Sequence, residues 1–182
     1  MGKTIMLSAL IQTSLPDQEV ADETLQSKGK QLRLDNSFRP VHRSPKLPTA
    51  TLVVAPTSLL HQWEEELKRS SKPGTLDIFV WHGQNRLDLE DVLETDDDHT
   101  GIKIVITSYG VLASEHAKTT SMKPQVFDSA WKFVHFCVAH IMSVTWWRVI
   151  LDEAHSCKSR TSKTAKAVYA LSAKRKWAVT GT

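Results

Sequence analysis

The sequence predicts an α/β domain with a mostly parallel sheet flanked by helices. Three observations carry this. Short apolar runs alternate with helix-period segments along most of the chain. The apolar runs have no polar face, as strands covered by helices on both sides require. The polar clusters APTS, TSYG, DEAH and TGT each stand where such a run ends. That is where parallel sheets present their ligand sites.

Each element has its own signal. Residues 4–13, TIMLSALIQT, carry Ile5, Leu7, Ala9, Leu10 and Ile11 without Gly or Pro, and read as a helix that stops before Pro16. Residues 15–50 are polar and proline-containing, and 28–46 hold six Lys/Arg against one Asp. This reads as a basic insertion on the surface, with a nucleic-acid contact as the minor alternative. TLVVAP, 51–56, is a buried strand closed by proline. TSLLHQWEEELKRS, 57–70, places Leu59, Trp63 and Leu67 four apart, the spacing of an amphipathic helix. Thr57 or Ser58 is expected to cap it, and Lys68 and Arg69 suit its end. Trp63 on that face reads as core rather than a stacking platform.

LDIFVWHG, 76–83, is the next strand. Residues 84–100 are an acidic loop in which Asp88, Glu90, Asp91, Glu94, Asp96, Asp97 and Asp98 repel one another. It reads as a short helix and solvated turn rather than a metal site. IKIVITSY, 102–109, is a strand and GVLASEHAK starts a helix. RVILDEAH, 148–155, is a strand ending in acids. RTSKTAKAVYALSA, 160–173, reads as a helix, and KWAVTGT, 176–182, as a final strand and loop.

The 182 residues suffice for one domain with a core. The net charge of +3 is weak support for nucleic acid, and two cysteines, Cys137 and Cys157, set no disulfide framework and exclude a multi-cysteine zinc module within these residues. FVHFCVAHIMSV, 133–144, is too short to cross a bilayer core of about 30 Å as a helix, and no secretory leader is visible. A cytosolic or nuclear home is expected, without a membrane.

The chemistry sits in two places. Gly2, Lys3 and Thr4 are the end of a phosphate loop, G-x-x-x-x-G-K-[ST], at a helix start. There Lys3 would reach phosphate oxygens and the Thr4 hydroxyl Mg²⁺. GKT alone is common. VILDEAH is stronger: a strand delivers Asp152 and Glu153 side by side, one to hold Mg²⁺ and one to polarise a water as general base. An ordinary Asp-Glu helix cap is the plain alternative. His155 and the hydroxyls of Thr180 and Thr182 suit a relay between nucleotide and neighbouring loop. A zinc site from Cys137, His140, His155 and Cys157 lacks regular spacing.

The ordered set GKT, TLVVAPTSLLHQWEEEL, IVITSYGVL, WWRVILDEAH and WAVTGT resembles the first ATPase lobe of Swi/Snf-type DNA translocases of helicase superfamily 2. Among these it is most similar to the fungal helicase-like ubiquitin ligases of post-replication repair. The resemblance covers residues 1–14 and 51–182 apart from two insertions. It implies a RecA-like P-loop NTPase lobe using ATP and Mg²⁺. It implies catalytic roles for Lys3, Asp152 and Glu153, and nucleotide contacts from Gly2, Lys3, Thr4, Asp152 and His155. Thr4 and Asp152 would hold the metal. Thr180, Gly181 and Thr182 would couple nucleotide state to movement. Pro56, Thr57, Ser58, Thr107, Ser108 and Tyr109 would face the backbone of duplex DNA, which strand ends and helix starts can contact without reading bases. The activity implied is DNA-dependent ATP hydrolysis driving translocation or remodelling, in DNA repair and in the nucleus.

The sequence departs from that pattern. The first strand and the first half of the phosphate loop are missing ahead of Met1, and the second lobe with its γ-phosphate arginines is missing after Thr182. An arginine of that kind is worth about 10³ to 10⁵ in rate. The expectation is a partial lobe, inactive or feeble alone, with a non-catalytic DNA- or protein-binding remnant as the alternative. Residues 132–146, KFVHFCVAHIMSVTW, interrupt the passage from FDSAW to WRVILDEAH. They read as an insertion foreign to the family pattern, either a retained intron or an extra helix. Another class of P-loop enzyme, such as a kinase or GTPase, fits DEAH and TGT poorly, and no guanine-reading N-K-x-D is found.

Overall fold

The computed structural model describes residues 2–15, 49–83, 89, 93, 101–121, 141–157 and 159–181. Most of the 15–50 and 84–100 segments, residues 132–140, and Thr182 lie outside them.

In chain order the elements are α1 (Lys3–Thr13), β1 (Thr51–Ala55), a 3₁₀ turn (Thr57–Leu59), α2 (Leu60–Ser70), β2 (Leu76–Val80), β3 (Ile102–Ser108), α3 (Tyr109–Ser121), β4 (Thr145–Leu151), a second 3₁₀ turn (Ala154–Cys157), α4 (Lys163–Ala170) and β5 (Ser172–Ala178). The five strands form one sheet in the order β2-β3-β1-β4-β5, and every pairing is parallel. Central β1 is buried at all five positions, and β4 at six of seven. These are the runs whose sequences lack a polar face.

The two faces carry separate cores. Val53, Ala55, Ile104, Ile106 and Ile150 pack under Leu7 and Ile11 of α1 and Leu60, Trp63 and Leu67 of α2. Leu52, Val54, Val105, Val149 and Leu151 pack under Val111 and Leu112 of α3 and Ala167 and Val168 of α4. Leu89 is buried on this second face and Leu93 packs against it.

Several boundaries differ from the sequence expectation. Neither Thr57 nor Ser58 caps α2: the 3₁₀ turn intervenes, and Leu59 stands at the cap with no side-chain bond. Ser162 does cap α4, accepting from the Ala165 amide at 3.1 Å. β4 begins at Thr145, three residues earlier than expected, and DEAH is turn and 3₁₀ rather than strand. Trp146, inside the 132–146 segment, is fully buried, and its indole donates to the carbonyl of Ile141, also buried, at 3.1 Å. The described end of that segment is therefore part of the sheet and core. β5 begins at Ser172, inside the stretch expected to be helix. It is an edge strand, largely exposed, so its polar SAKRK carries no two-sided apolar signal.

Register levels the strand ends. Ala55 pairs with Ser108, Val54 with Leu151, and Leu151 with Ala178. Pro56–Ser58, Tyr109, Asp152–His155 and Val179–Gly181 thus share one rim of the sheet. At the opposite rim the carbonyl of Ser14, just past α1, accepts from Arg148 Nη2 at 2.8 Å and Trp147 Nε1 at 3.3 Å. A cation suits the negative end of a helix dipole. The Arg148 side chain is buried and burial lowers its pKa, while its Nε and Nη1 find no partner among the described residues. The guanidinium of Arg175 lies 4.8 Å from the centre of the Trp147 ring.

Candidate active site

The rim brings three distant segments together. Lys3 opens α1 behind Gly2, whose φ of 102° is left-handed, a conformation glycine adopts without a Cβ clash. Lys3 Nζ donates to Glu153 Oε1 at 2.8 Å across 150 positions of sequence. Glu153 Oε2 lies 3.1 Å from His155 Nδ1, and the Gly181 amide also donates to the Glu153 carboxylate. A Cβ built on Gly181 would stand 3.1 Å from Lys3 Nζ, so the third loop closes directly over the pair. The bond from Lys3 holds Glu153 below its ordinary pKa, and Glu153 raises that of Lys3.

Glu153 sits at φ 49°, the one positive-φ residue other than glycine among the described residues. Strain of this kind, about 1–3 kcal/mol per residue, persists where the surroundings impose it. Here β4 must turn sharply after Asp152. The Asp152 amide continues the sheet by bonding the Val54 carbonyl, while the Ala154 amide crosses to Val179.

Asp152 is buried and anchored differently. Its Oδ2 accepts from the indole of Trp63 at 2.8 Å, its Oδ1 from the Glu153 amide at 2.9 Å, and its main-chain carbonyl from the Tyr109 hydroxyl at 2.7 Å. Burial pushes the Tyr109 phenol far above its ordinary pKa, so it stays a donor. Trp63 is core, as its helix position suggests, and also a polar partner, which periodicity could not reveal. The available signal was general: a buried tryptophan needs an acceptor for its N–H.

The other expected site residues divide. Thr57 and Ser58 are exposed and Pro56 half-buried, leaving an open edge beside the acids. Thr107, Ser108 and Tyr109 are buried, and their hydroxyls are engaged inside the protein. Thr107 donates to the Trp81 carbonyl at 2.9 Å, and Ser108 Oγ lies 3.3 Å from His82 Nδ1 and accepts from the Val111 amide. Their side chains do not form the outward face expected of them, because the strand end turns straight into α3. The Thr4 hydroxyl bonds Glu66 on α2, helping hold that carboxylate below its ordinary pKa after Gln62. Thr180 is exposed on the rim.

The donor set fits Mg²⁺. It offers the hard carboxylate oxygens of Asp152, with the Thr4 hydroxyl, here turned to Glu66, as a second hard oxygen on the first turn of α1. Among the described residues no cluster of three or more His, Cys, Asp or Glu could hold a metal by itself.

A buried acid beside a half-exposed one, faced by a helix-start lysine at the carboxyl rim of a parallel sheet, is the arrangement expected of a lobe of the P-loop kind. The comparisons agree. The profile of the SNF2-related domain family matches residues 1–182, and the chain belongs to that family. It is 34% identical over 205 residues to DNA repair protein RAD5 of Cryptococcus neoformans, covering 100% of this chain and 16% of that protein. It is 36% identical to RAD5 of Gibberella zeae over 100% of the chain and 15% of the relative. DNA repair protein rad8 of Schizosaccharomyces pombe is 38% identical over 82% of the chain and 12% of its own length. The chain thus spans less than a fifth of these relatives. The Sulfolobus solfataricus SWI2/SNF2 ATPase core, solved in complex with double-stranded DNA, superposes with a TM-score of 0.53 at 23% identity, covering 100% of this chain and 25% of that one. The RecA-like fold expected from the motifs is the fold observed.

Proposed function

We propose that the rim binds ATP with Mg²⁺ and that this chain contributes the Lys3–Asp152–Glu153 wall of a DNA-dependent ATPase site. Its hydrolysis drives translocation or remodelling on duplex DNA during repair in the nucleus. The relatives' names as DNA repair proteins and the shared SNF2 family support the setting. One observation carries the reading: Lys3, Glu153 and Gly181 converge within contact distance although they lie at opposite ends of the sequence.

Lys3 exchanges Glu153 for phosphate oxygens, aided by the unpaired amides of the first turn of α1. Asp152, already oriented, would hold the metal, with Thr4 as a second ligand once its hydroxyl turns from Glu66. Mg²⁺, when bound, neutralises charge on the β and γ phosphates. Glu153, freed from Lys3, orients and deprotonates the attacking water. The adjacent edge at Pro56, Thr57 and Ser58 faces the DNA backbone, with the main chain at Thr107–Tyr109 beside it, and the Thr180–Thr182 loop reports nucleotide state.

Equilibrium MgATP binding to this chain, and DNA-stimulated turnover once a second ATPase lobe is supplied, test this with two variants. Lys3→Ala is expected to weaken binding. Glu153→Gln is expected to retain binding and lose turnover. Turnover that survives both changes, or Lys3→Ala binding MgATP as the wild type does, would refute the assignment.

A further inference from the structure

We infer that Trp63 is a positioning residue for Asp152, orienting the carboxylate that faces the metal through its indole N–H. The inference rests on the reading above, in which Asp152 holds Mg²⁺. Three features of the geometry point to it.

First, the bond is short and buried. Trp63 Nε1 stands 2.8 Å from Asp152 Oδ2, with Trp63 2% and Asp152 6% exposed. Second, the donor is of a suitable kind. A carboxylate has about four lone-pair sites, and the indole N–H and the Glu153 amide occupy one on each oxygen. Both donors are neutral. They fix the plane of the carboxylate and leave its charge and remaining lone pairs to a cation. A lysine or arginine in the place of Trp63 would neutralise the group and compete with the metal. Third, the main chain at the same residue is clamped independently by the Tyr109 hydroxyl at 2.7 Å and the Val54 carbonyl at 2.9 Å. With the backbone held from β1 and α3, the remaining freedom is rotation of the side chain, which Trp63 restrains from Oδ2 as the Glu153 amide does from Oδ1.

Packing alone does not call for the N–H. Trp63 shares one buried cluster with Val53, Leu60, Leu67 and Ile150. Trp63→Phe keeps an aromatic ring in that cluster and removes the N–H together with the second ring. The probe is Mn²⁺ with ATP, the protein-bound ion read from the enhancement of water-proton relaxation over that of Mn²⁺ and ATP without protein. Trp63→Phe is expected to weaken Mn²⁺ binding about 10-fold, as loss of a partner that orients a metal ligand does. Metal-free ATP binding should stay close to wild type, while the melting temperature falls modestly from the lost ring and the lost buried bond.

Mn²⁺ affinity within about two-fold of wild type would overturn the inference, as would an equal loss of metal-free ATP binding, which marks general damage to packing. A second measurement needs no altered core. In the wild-type ¹H–¹⁵N spectrum the Trp63 indole resonance, assigned by its loss in Trp63→Phe, should move on addition of Mg²⁺ and ATP. It should hold still in Asp152→Asn. A wild-type resonance that does not move overturns the inference. If Asp152→Asn binds Mn²⁺ as tightly as the wild type, the reading of Asp152 as metal holder fails instead, and the two failures are told apart.

Discussion

Replacing Glu153 by glycine and, separately, by alanine reads the backbone strain at the site. Both variants remove the carboxylate, so both lose the contacts to Lys3 and His155 equally, and the difference between them reports the main chain. Glu153 holds φ 49°. A residue with a Cβ pays about 1–2 kcal/mol for the left-handed conformation, and glycine does not. Against this, glycine gains freedom in the unfolded chain worth about 0.5–1 kcal/mol relative to alanine. The balance favours glycine by about 0.5–1 kcal/mol, the reverse of the order at ordinary positions. For a domain of this size each kcal/mol moves the melting temperature by about 2–4 °C. Thermal unfolding followed by circular dichroism should place Glu153→Gly about 1–4 °C above Glu153→Ala, with ATP turnover lost in both. An alanine variant melting at or above the glycine variant would refute the strained turn.

Two further outcomes follow from the charges. The Lys3–Glu153 pair should stabilise in a defined pH window. Glu153 is held below its ordinary 4.5, so its contribution is present above that value and is lost as pH falls through the lowered one; Lys3 is held above its ordinary 10.5, so its contribution is present below that value and is lost as pH rises through the raised one. The melting difference between wild type and Lys3→Met should be greatest between these limits and shrink with salt, and a difference flat in pH would contradict the pairing. At the opposite rim, Arg148→Met exchanges one charged bond to Ser14 and two unpartnered nitrogens for an apolar side chain of similar length. Such replacements are often neutral or stabilising, so the melt should stay level or rise, and a fall of more than about 5 °C would show that the guanidinium has further partners.

How far these features were legible depends on whether the cause was local. β1, β3 and the core of β4 declared themselves because strands covered on both faces keep an unbroken apolar run, LVVA, IVI and VIL. β5 hid its first four residues because an edge strand, half exposed, reads like a helix tail. Lys3, Asp152 and Glu153 were legible because motif order and strand-end position constrain them. The inward turn of Thr107, Ser108 and Tyr109 was not, since hydroxyl direction at a strand end depends on the helix that follows. Nor was the bond from Thr4 to Glu66, which depends on how α1 packs on α2.

The two adjacent acids are anchored in opposite ways, and this bears on how the site can act. Asp152 is buried, and neutral donors hold its carboxylate. None of those donors needs to leave when a cation arrives. Glu153 is half-buried on a strained backbone, and its partners include a lysine and a histidine that a phosphate can draw away. The first arrangement suits a fixed ligand, the second a group released on demand. What moves is also constrained. α1 has 11 residues, a rod about 16 Å long. It meets the β4 region at both ends, through Lys3 to Glu153 at one and through Ser14 to Trp147 and Arg148 at the other. Sliding the helix toward a nucleotide would break the far contacts, including the bond that partners the buried guanidinium. If Lys3 binds phosphate as proposed, it would do so by swinging its own side chain, and the first consequence of that swing would be to unpair Glu153.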